Sequence, residues 1–223
     1  MIRVTAFVRF TRAAVRETAD RLIGAVRRAG DELDVLAVDA ARALPNSYGA
    51  GDVMLLGAFR DREAYERARR DPYVEKIVKP LLDECGGEVD VVLYTQGAVT
   101  VQYPDLAGGV QRTLLVRIEP TVDRELVRQF EADLGAMTSY IDTIRNSSLS
   151  HVDEVHGPSG KEWTHVWEQE FATLEGLTGP YMMHGYHWSL VDTWFDLQSP
   201  RQIVDPELIH AACELRRSIL SRA

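Results

Sequence analysis

Residues 149–171 read Leu-Ser-His-Val-Asp-Glu-Val-His-Gly-Pro-Ser-Gly-Lys-Glu-Trp-Thr-His-Val-Trp-Glu-Gln-Glu-Phe. His156-Gly157-Pro158-Ser159-Gly160 is a dense turn signal. The flanking runs, Leu149–Val155 and Trp163–Phe171, carry strand patterning, so the stretch predicts a β-hairpin. Upstream, Arg112–Ile118 reads as a strand closed by Pro120, and Asp123 opens a helix to about Ala136. Downstream, Pro180 suits the first turn of a helix running to about Phe195, and Ile203–Asp205 reads as a short last strand. A hairpin set between two helices gives the order βαββαβ, the split βαβ of ferredoxin-like domains. Pro206 then opens a predicted extra C-terminal helix over 206–222, with Leu208, Ile209, Ala212, Leu215 and Ile219 on one face.

The same order precedes it. Ile2–Phe10 reads as a strand. Residues 12–29 place Ala14, Val15, Ala19, Leu22, Ile23 and Val26 at helical spacing, with Gly30 as a C-cap. Leu33–Ala41 and Val53–Phe59 are the next strands. Asp61 caps a helix over 62–84 that Pro72 and Pro80 break, and Val89–Tyr94 is the fourth strand. The expectation is an α+β fold of two tandem ferredoxin-like domains, 1–105 and 111–223, joined near Gly108 and Gly109. Each four-stranded sheet has one face left bare by its helices. Pairing those faces closes an intramolecular dimeric α/β barrel.

Composition narrows the function classes. The 223 residues are 45% hydrophobic and 26% charged, with a net charge of −9. Such a balance excludes a disordered chain and disfavours nucleic acid and anionic membranes as partners. No run approaches the roughly 20 apolar residues of a membrane span, and Met1–Phe10 lacks a signal-peptide core, so a cytoplasmic protein is expected. Cys85 and Cys213 form no CxxC pair and read as small buried residues. The halves differ chemically: all six histidines and all four tryptophans follow residue 150.

Two stretches could carry chemistry. On a helix, Tyr181, His184 and His187 span about a third of the circumference. Imidazole is the usual general base at neutral pH, and a phenol beside it can donate to a developing oxyanion. The plainer alternative is an amphipathic helix with aromatic core residues and solvated histidines. In the strand, alternation puts Trp163, His165, Trp167, Gln169 and Phe171 on one face. That composition suits the wall of a mostly apolar pocket, or a core in which His165 bonds a backbone carbonyl. Arg112 sits at the cavity rim if Pro120 sets the alignment; a one-residue slip puts Arg117 inside instead. An inward arginine favours a carboxylate substrate. His165, His184 and His187 could also give three nitrogen ligands to a metal.

Trp163-Thr164-His165, Phe171 and Tyr181-x-x-His184-x-x-His187 resemble the stress-responsive dimeric α/β-barrel (Dabb) family over roughly 112–205. Asp71–Leu82 and Val91-Val92 resemble it more faintly in the first half. The resemblance implies the ferredoxin-like fold in a tandem form, and either a protein of stress response or a polyketide cyclase of the olivetolic acid cyclase type. In such cyclases the tyrosine and last histidine of the motif are catalytic and no cofactor is used. Carried over, these are Tyr181 and His187, with His165, His184, Trp163, Trp167, Gln169, Phe171 and Trp188 against the substrate. Gly185 stands where the family commonly has proline, and Trp167 replaces a smaller pocket residue. In the first half Ala68, Asp71 and Val74 stand at the motif positions, which implies a structural role for it. The expected function is a cofactor-independent cyclase or carbon–carbon lyase acting on a polyketide-like or aromatic carbonyl compound. The alternatives are a non-catalytic stress or ligand-binding barrel, and a haem or metal protein using one of His165, His184 and His187. A homodimer of the tandem chain is a further assembly the sequence admits.

Overall fold

The computed structural model describes residues 1–10, 16–84 and 86–222. Cys85 and the expected helix start at 12–15 lie outside them. The first half runs β1 (Ile2–Phe10), α1 (Arg16–Glu32), β2 (Ala37–Arg42), β3 (Val53–Phe59), α2 (Arg62–Arg69), a π-helical turn at Val74–Val78, α3 (Lys79–Glu84) and β4 (Gly87–Thr95). A short β5 (Ala98–Val101) follows, unforeseen in the sequence, and pairs with a strand of the second half. The second half runs β6 (Val110–Val116), α4 (Arg124–Ala136), β7 (Ile144–His156), β8 (His165–Phe171), α5 (Leu174–Gly176) and β9 (Ile209–Glu214), with π-helical turns at Leu177–Tyr181 and His187–Val191.

The strand order β2-β3-β1-β4-β7-β8-β6-β9 repeats one four-strand pattern twice. Antiparallel pairing of β4 with β7 joins the halves on one side. On the other, the segment after β2 hydrogen-bonds β9: the Leu44 amide donates to the Ala212 carbonyl at 2.7 Å, and Tyr48 to that of His210 at 2.7 Å. The two ferredoxin-like sheets thus curl into one nearly closed antiparallel barrel. Phe7, Met54, Val92, Leu115, Val166, Ala211 and Cys213 fill it, and burial raises the Cys213 thiol pKa. Its interior also holds charge. Arg3 on β1 and Glu168 on β8 meet at 3.1 Å, both side chains about 1% exposed, and Gln111 Nε2 donates to the same carboxylate oxygen. Glu170 accepts from Asn146 and Ser218 and from the Ile219 and Leu220 amides, clamping the C-terminal segment.

Several local expectations are corrected. The predicted helix over 206–222 is instead strand β9 and irregular chain. Ile209, Ala211 and Cys213 face the barrel interior while Ala212 packs under the helices, so both faces are buried. In that setting the apolar spacing fits either period. The predicted last strand at Ile203–Asp205 reduces to a single bridge, Ile118 to Val204. Helix α1 continues past Gly30, which is no cap: a Cβ there would lie 2.7 Å from the Val38 carbonyl oxygen, so glycine permits close packing of helix on strand. Strand β2 accordingly starts at Ala37 rather than Leu33. At the joint, Gly109 has φ +110°, and a Cβ would lie 2.2 Å from the Phe171 carbonyl oxygen. Asp61 caps α2 as expected, accepting from the Ala64 amide at 2.8 Å. No helix among the described residues is long and apolar enough to cross a membrane.

Candidate active site

The helical segment after β8 begins earlier than Pro180. Thr173 Oγ1 accepts from the Gly176 amide at 3.1 Å and caps α5. Pro180 falls inside the first π-helical turn, where the missing N–H removes one rung of an α-helical ladder. The helix is interrupted at His184 and resumes into the second π turn from His187. In such a turn residue i stacks beneath i+5, not i+4. The Asp192 amide accordingly bonds the His187 carbonyl, and the Asp192 carboxylate comes to 3.6 Å from His187 Nδ1.

Tyr181 and His187 both turn inward. Their rings lie 4.5 Å apart, and both residues are buried. Phe171 packs edge-on to Tyr181 at 5.3 Å. Beside His187 lies a cavity of about 210 Å³ between β6, β8, β9 and the helical segment, lined by Arg112, Trp167, His187, Asp192, Leu208 and His210 among others. It lies outside the barrel, under the helical layer.

Arg112 settles its facing: it points into this cavity and is 4% exposed, whereas Arg117 pairs at the surface with Glu119. The Arg112 guanidinium donates from Nε to His210 Nε2 at 3.0 Å and from Nη1 to Gln169 Oε1 at 2.8 Å. It stacks over Trp167 and Tyr181, 4.8 and 5.3 Å from the ring centres. No carboxylate among the described residues lies within ion-pair distance of it. Its hydrogen bonds go to neutral groups, with the Asp192 carboxylate across the cavity beyond contact distance; a buried cation so placed is costly, and the cavity has room for an anion beside it. Around it, Tyr181 Oη, Gln169 Nε2, Trp167 Nε1 and His187 Nδ1 are enclosed without a hydrogen-bond partner.

Electrostatics follow from burial and this cation. Desolvation, then Arg112, then His184 push the His187 pKa down to about 4. Desolvation and Arg112 do the same to His210, also to about 4. Burial raises the Tyr181 phenol to about 12 against the lowering pull of Arg112. Burial raises the Asp192 carboxyl as well. At neutral pH the site therefore holds the neutral imidazoles of His187 and His210, a protonated phenol and one guanidinium, with the Asp192 carboxyl at its edge.

The other expected residues divide. Trp167 lines the cavity, Gln169 holds Arg112, and Phe171 backs Tyr181. His184 is half-buried and accepts from the Tyr186 amide through Nδ1 at 3.2 Å. Trp188 is 61% exposed and lies outside the cavity lining, because the π turn rotates it outward. Trp163 packs in the barrel interior: the β8 ladder starts only at His165, so the alternation does not reach back to Trp163. His165 is buried away from the cavity, with Nδ1 at 2.8 Å from Thr164 Oγ1 and Nε2 at 3.3 Å from Glu131 Oε1. Among the described residues, His165, His184 and His187 do not converge as a ligand set. In the first half, Ala68 and Val74 border an equivalent hollow whose walls are apolar apart from Tyr65 and Arg69.

Sequence reasoning missed Asp192 and His210. The signal for Asp192 was its spacing of five from His187, which means nothing on an α-helix. His210 was hidden by reading β9 as a helix.

No curated protein matches the sequence. Among solved structures, an anthrone oxidase-like protein superposes with TM-score 0.62 at 10% identity, over 96% of this chain and 90% of its own. A candidate monooxygenase from Fusobacterium nucleatum gives 0.65 at 8% identity, over 96% and 91%. A mutant chlorite dismutase from Candidatus Nitrospira defluvii gives 0.54 at 10% identity, over 99% and 92%. At such identities the likeness is one of fold, and it extends over both halves of the barrel. Residues 110–208, from the first residue of β6 to just before β9, match the family model described as Stress responsive A/B Barrel Domain. Through this segment the chain is similar to the stress responsive A/B barrel (Dabb) family.

Proposed function

We propose that the protein is a small acid–base enzyme that forms or cleaves a carbon–carbon bond in a carbonyl substrate bearing an anionic group. The observation that carries this reading is the pairing of Tyr181 with His187, 4.5 Å apart, where His187 borders a cavity whose buried cation, Arg112, has no carboxylate within ion-pair distance among the described residues. Asp192 faces His187 Nδ1 and favours the tautomer protonated there, leaving Nε2 as the base. In the forward direction Nε2 takes a proton from a carbon flanked by carbonyls, and the C–H pair moves into an enolate. The Tyr181 hydroxyl donates to the oxygen that gains charge. The enolate carbon attacks a second carbonyl of the same chain, and its alkoxide recovers the proton from His187. Cleavage is the reverse. Arg112 holds a substrate carboxylate or a comparably charged oxyanion, and Trp167 supplies an apolar wall. A polyketide-like β-keto acid meets these demands.

The test is product formation from β-keto acid and polyketide-type substrates with the full chain. The wild type is expected to give product. His187→Ala and Tyr181→Phe are each expected to lower the rate about 10²-fold or more, the scale of general acid–base help. Arg112→Met is expected to raise KM for acids while sparing their neutral esters. Tight binding without turnover would leave a ligand-binding barrel. Unchanged rates in both His187→Ala and Tyr181→Phe would remove the catalytic reading.

A further inference from the structure

His165, His151 and Glu131 form a second cluster, on the helix side of the sheet and outside the cavity lining. They come from three elements: His165 opens β8, His151 lies opposite it on β7, and Glu131 reaches across from α4. His151 Nε2 is 2.8 Å from Glu131 Oε1, and His165 Nε2 is 3.3 Å from the same oxygen. The two imidazoles are 4.6 Å apart, centre to centre. One ligand atom from each residue lies within 4.8 Å of the other two. Ligands about 2.0–2.1 Å from a tetrahedral zinc ion are about 3.3 Å from one another, so the separations suit a shared ion after a small movement of His151. That side chain is 71% exposed and free to make it.

The surroundings of His165 add a second observation. Its Nδ1 faces Thr164 Oγ1, which also accepts from the Ile118 amide and reaches the Val116 carbonyl. A ligating histidine characteristically donates its other ring N–H to such an oxygen, which turns the bare nitrogen towards the metal. With Nδ1 as donor, Nε2 presents a lone pair to a carboxylate oxygen at 3.3 Å. Such a facing pair is satisfied by a cation or a shared proton between the two atoms. The ring itself is buried edge-on against Phe130, 5.8 Å away, so its direction is held by packing as well.

We infer that Glu131, His151 and His165 bind one divalent transition-metal ion, zinc being the fitting probe, with a fourth coordination position open to solvent beside His151. Two imidazoles and a carboxylate are a donor set of intermediate softness, suited to zinc over magnesium or calcium. The ion would tie α4 to the β7–β8 hairpin, and Phe130 links that cluster to Trp194 and Phe195. The inference stands apart from the Tyr181–His187 chemistry.

Calorimetric titration of the chelator-treated full chain with Zn²⁺ alone tests it. The wild type is expected to take up one equivalent, and Co²⁺ in its place to show the visible absorption of a tetrahedral site. His151→Ala and Glu131→Gln are each expected to weaken zinc binding tenfold or more. His156→Ala, at an exposed histidine paired with Glu154, is expected to leave it unchanged. His165→Ala disturbs packing, so the decision rests on the two more accessible positions. Absence of one-to-one uptake by the wild type, or uptake unaffected by both His151→Ala and Glu131→Gln, would overturn the inference.

Discussion

The Arg112 guanidinium donates to Nε2 of His210 at 3.0 Å, so that nitrogen carries no proton and the ring is neutral. His210 and His187 both have pKa values near 4 beside this cation. Protonating either sets a second positive charge against Arg112 inside a nearly dry site. Because both values lie below the ordinary 6.5, the unfolded chain binds more protons between those limits, and stability rises with pH there. The contribution is complete above about 6.5 and is lost as pH falls towards about 4. Urea unfolding is expected to show the midpoint falling through this window. The double variant His187→Gln, His210→Gln is expected to show a shallower fall, and an unchanged fall would contradict the assignment.

In the proposed reaction the same depression sets the pH dependence. With His187 neutral down to about pH 4, the acid limb of kcat/KM is expected near 4 rather than 6.5. No basic limb from Tyr181 is expected below its value of about 12. Asp192→Asn is expected to lower kcat tenfold or more with little change in KM, since it alters the tautomer preference of His187 and leaves the cavity's shape.

Tyr181 offers a separation of stability from function. Its hydroxyl is buried without a partner, and such a group costs about 1–3 kcal/mol of desolvation. Tyr181→Phe is expected to leave thermal stability unchanged or raise it by about 1 kcal/mol, while turnover falls. A large loss of stability would show that the hydroxyl is structurally satisfied.

The barrel interior can be tested through Arg3 and Glu168. Replacing Glu168 by leucine strands a buried guanidinium, at a cost of about 3–5 kcal/mol in chemical denaturation. The double variant Arg3→Met, Glu168→Leu removes both charges and is expected to recover most of that loss.

Gly30→Ala places a methyl against the Val38 carbonyl oxygen at 2.7 Å. Overpacking of this kind costs about 1–3 kcal/mol, against a gain of up to about 1 kcal/mol in helix propensity. Net destabilisation is expected; stabilisation would show that the helix can lift from the strand.

The layout was open to reading because hairpin, helix and turn signals recur in one order in each half, and Asp61 and Asp123 mark two helix starts. The inward pairing of Tyr181 with His187 agrees with their sequence spacing. What stayed hidden depended on burial or on unusual turns. Strand β9 has apolar groups on both faces, so its period is ambiguous. Trp163 and Trp188 were misplaced because the ladder starts at His165 and the helix widens into π turns. Asp192 reaches His187 only through that widening, and the facing of Arg112 depended on register, which a single-residue slip reverses.

The hollow bordered by Ala68 and Val74 makes the barrel its own control experiment. One chamber, Tyr65 and Arg69 aside, grips by shape and oiliness; its twin adds a buried guanidinium, a carboxylate and two imidazoles. A neutral greasy compound should partition towards the first, and an acidic one towards the second. A molecule displaced from only one of them would report, within a single polypeptide, how much of its attraction is charge.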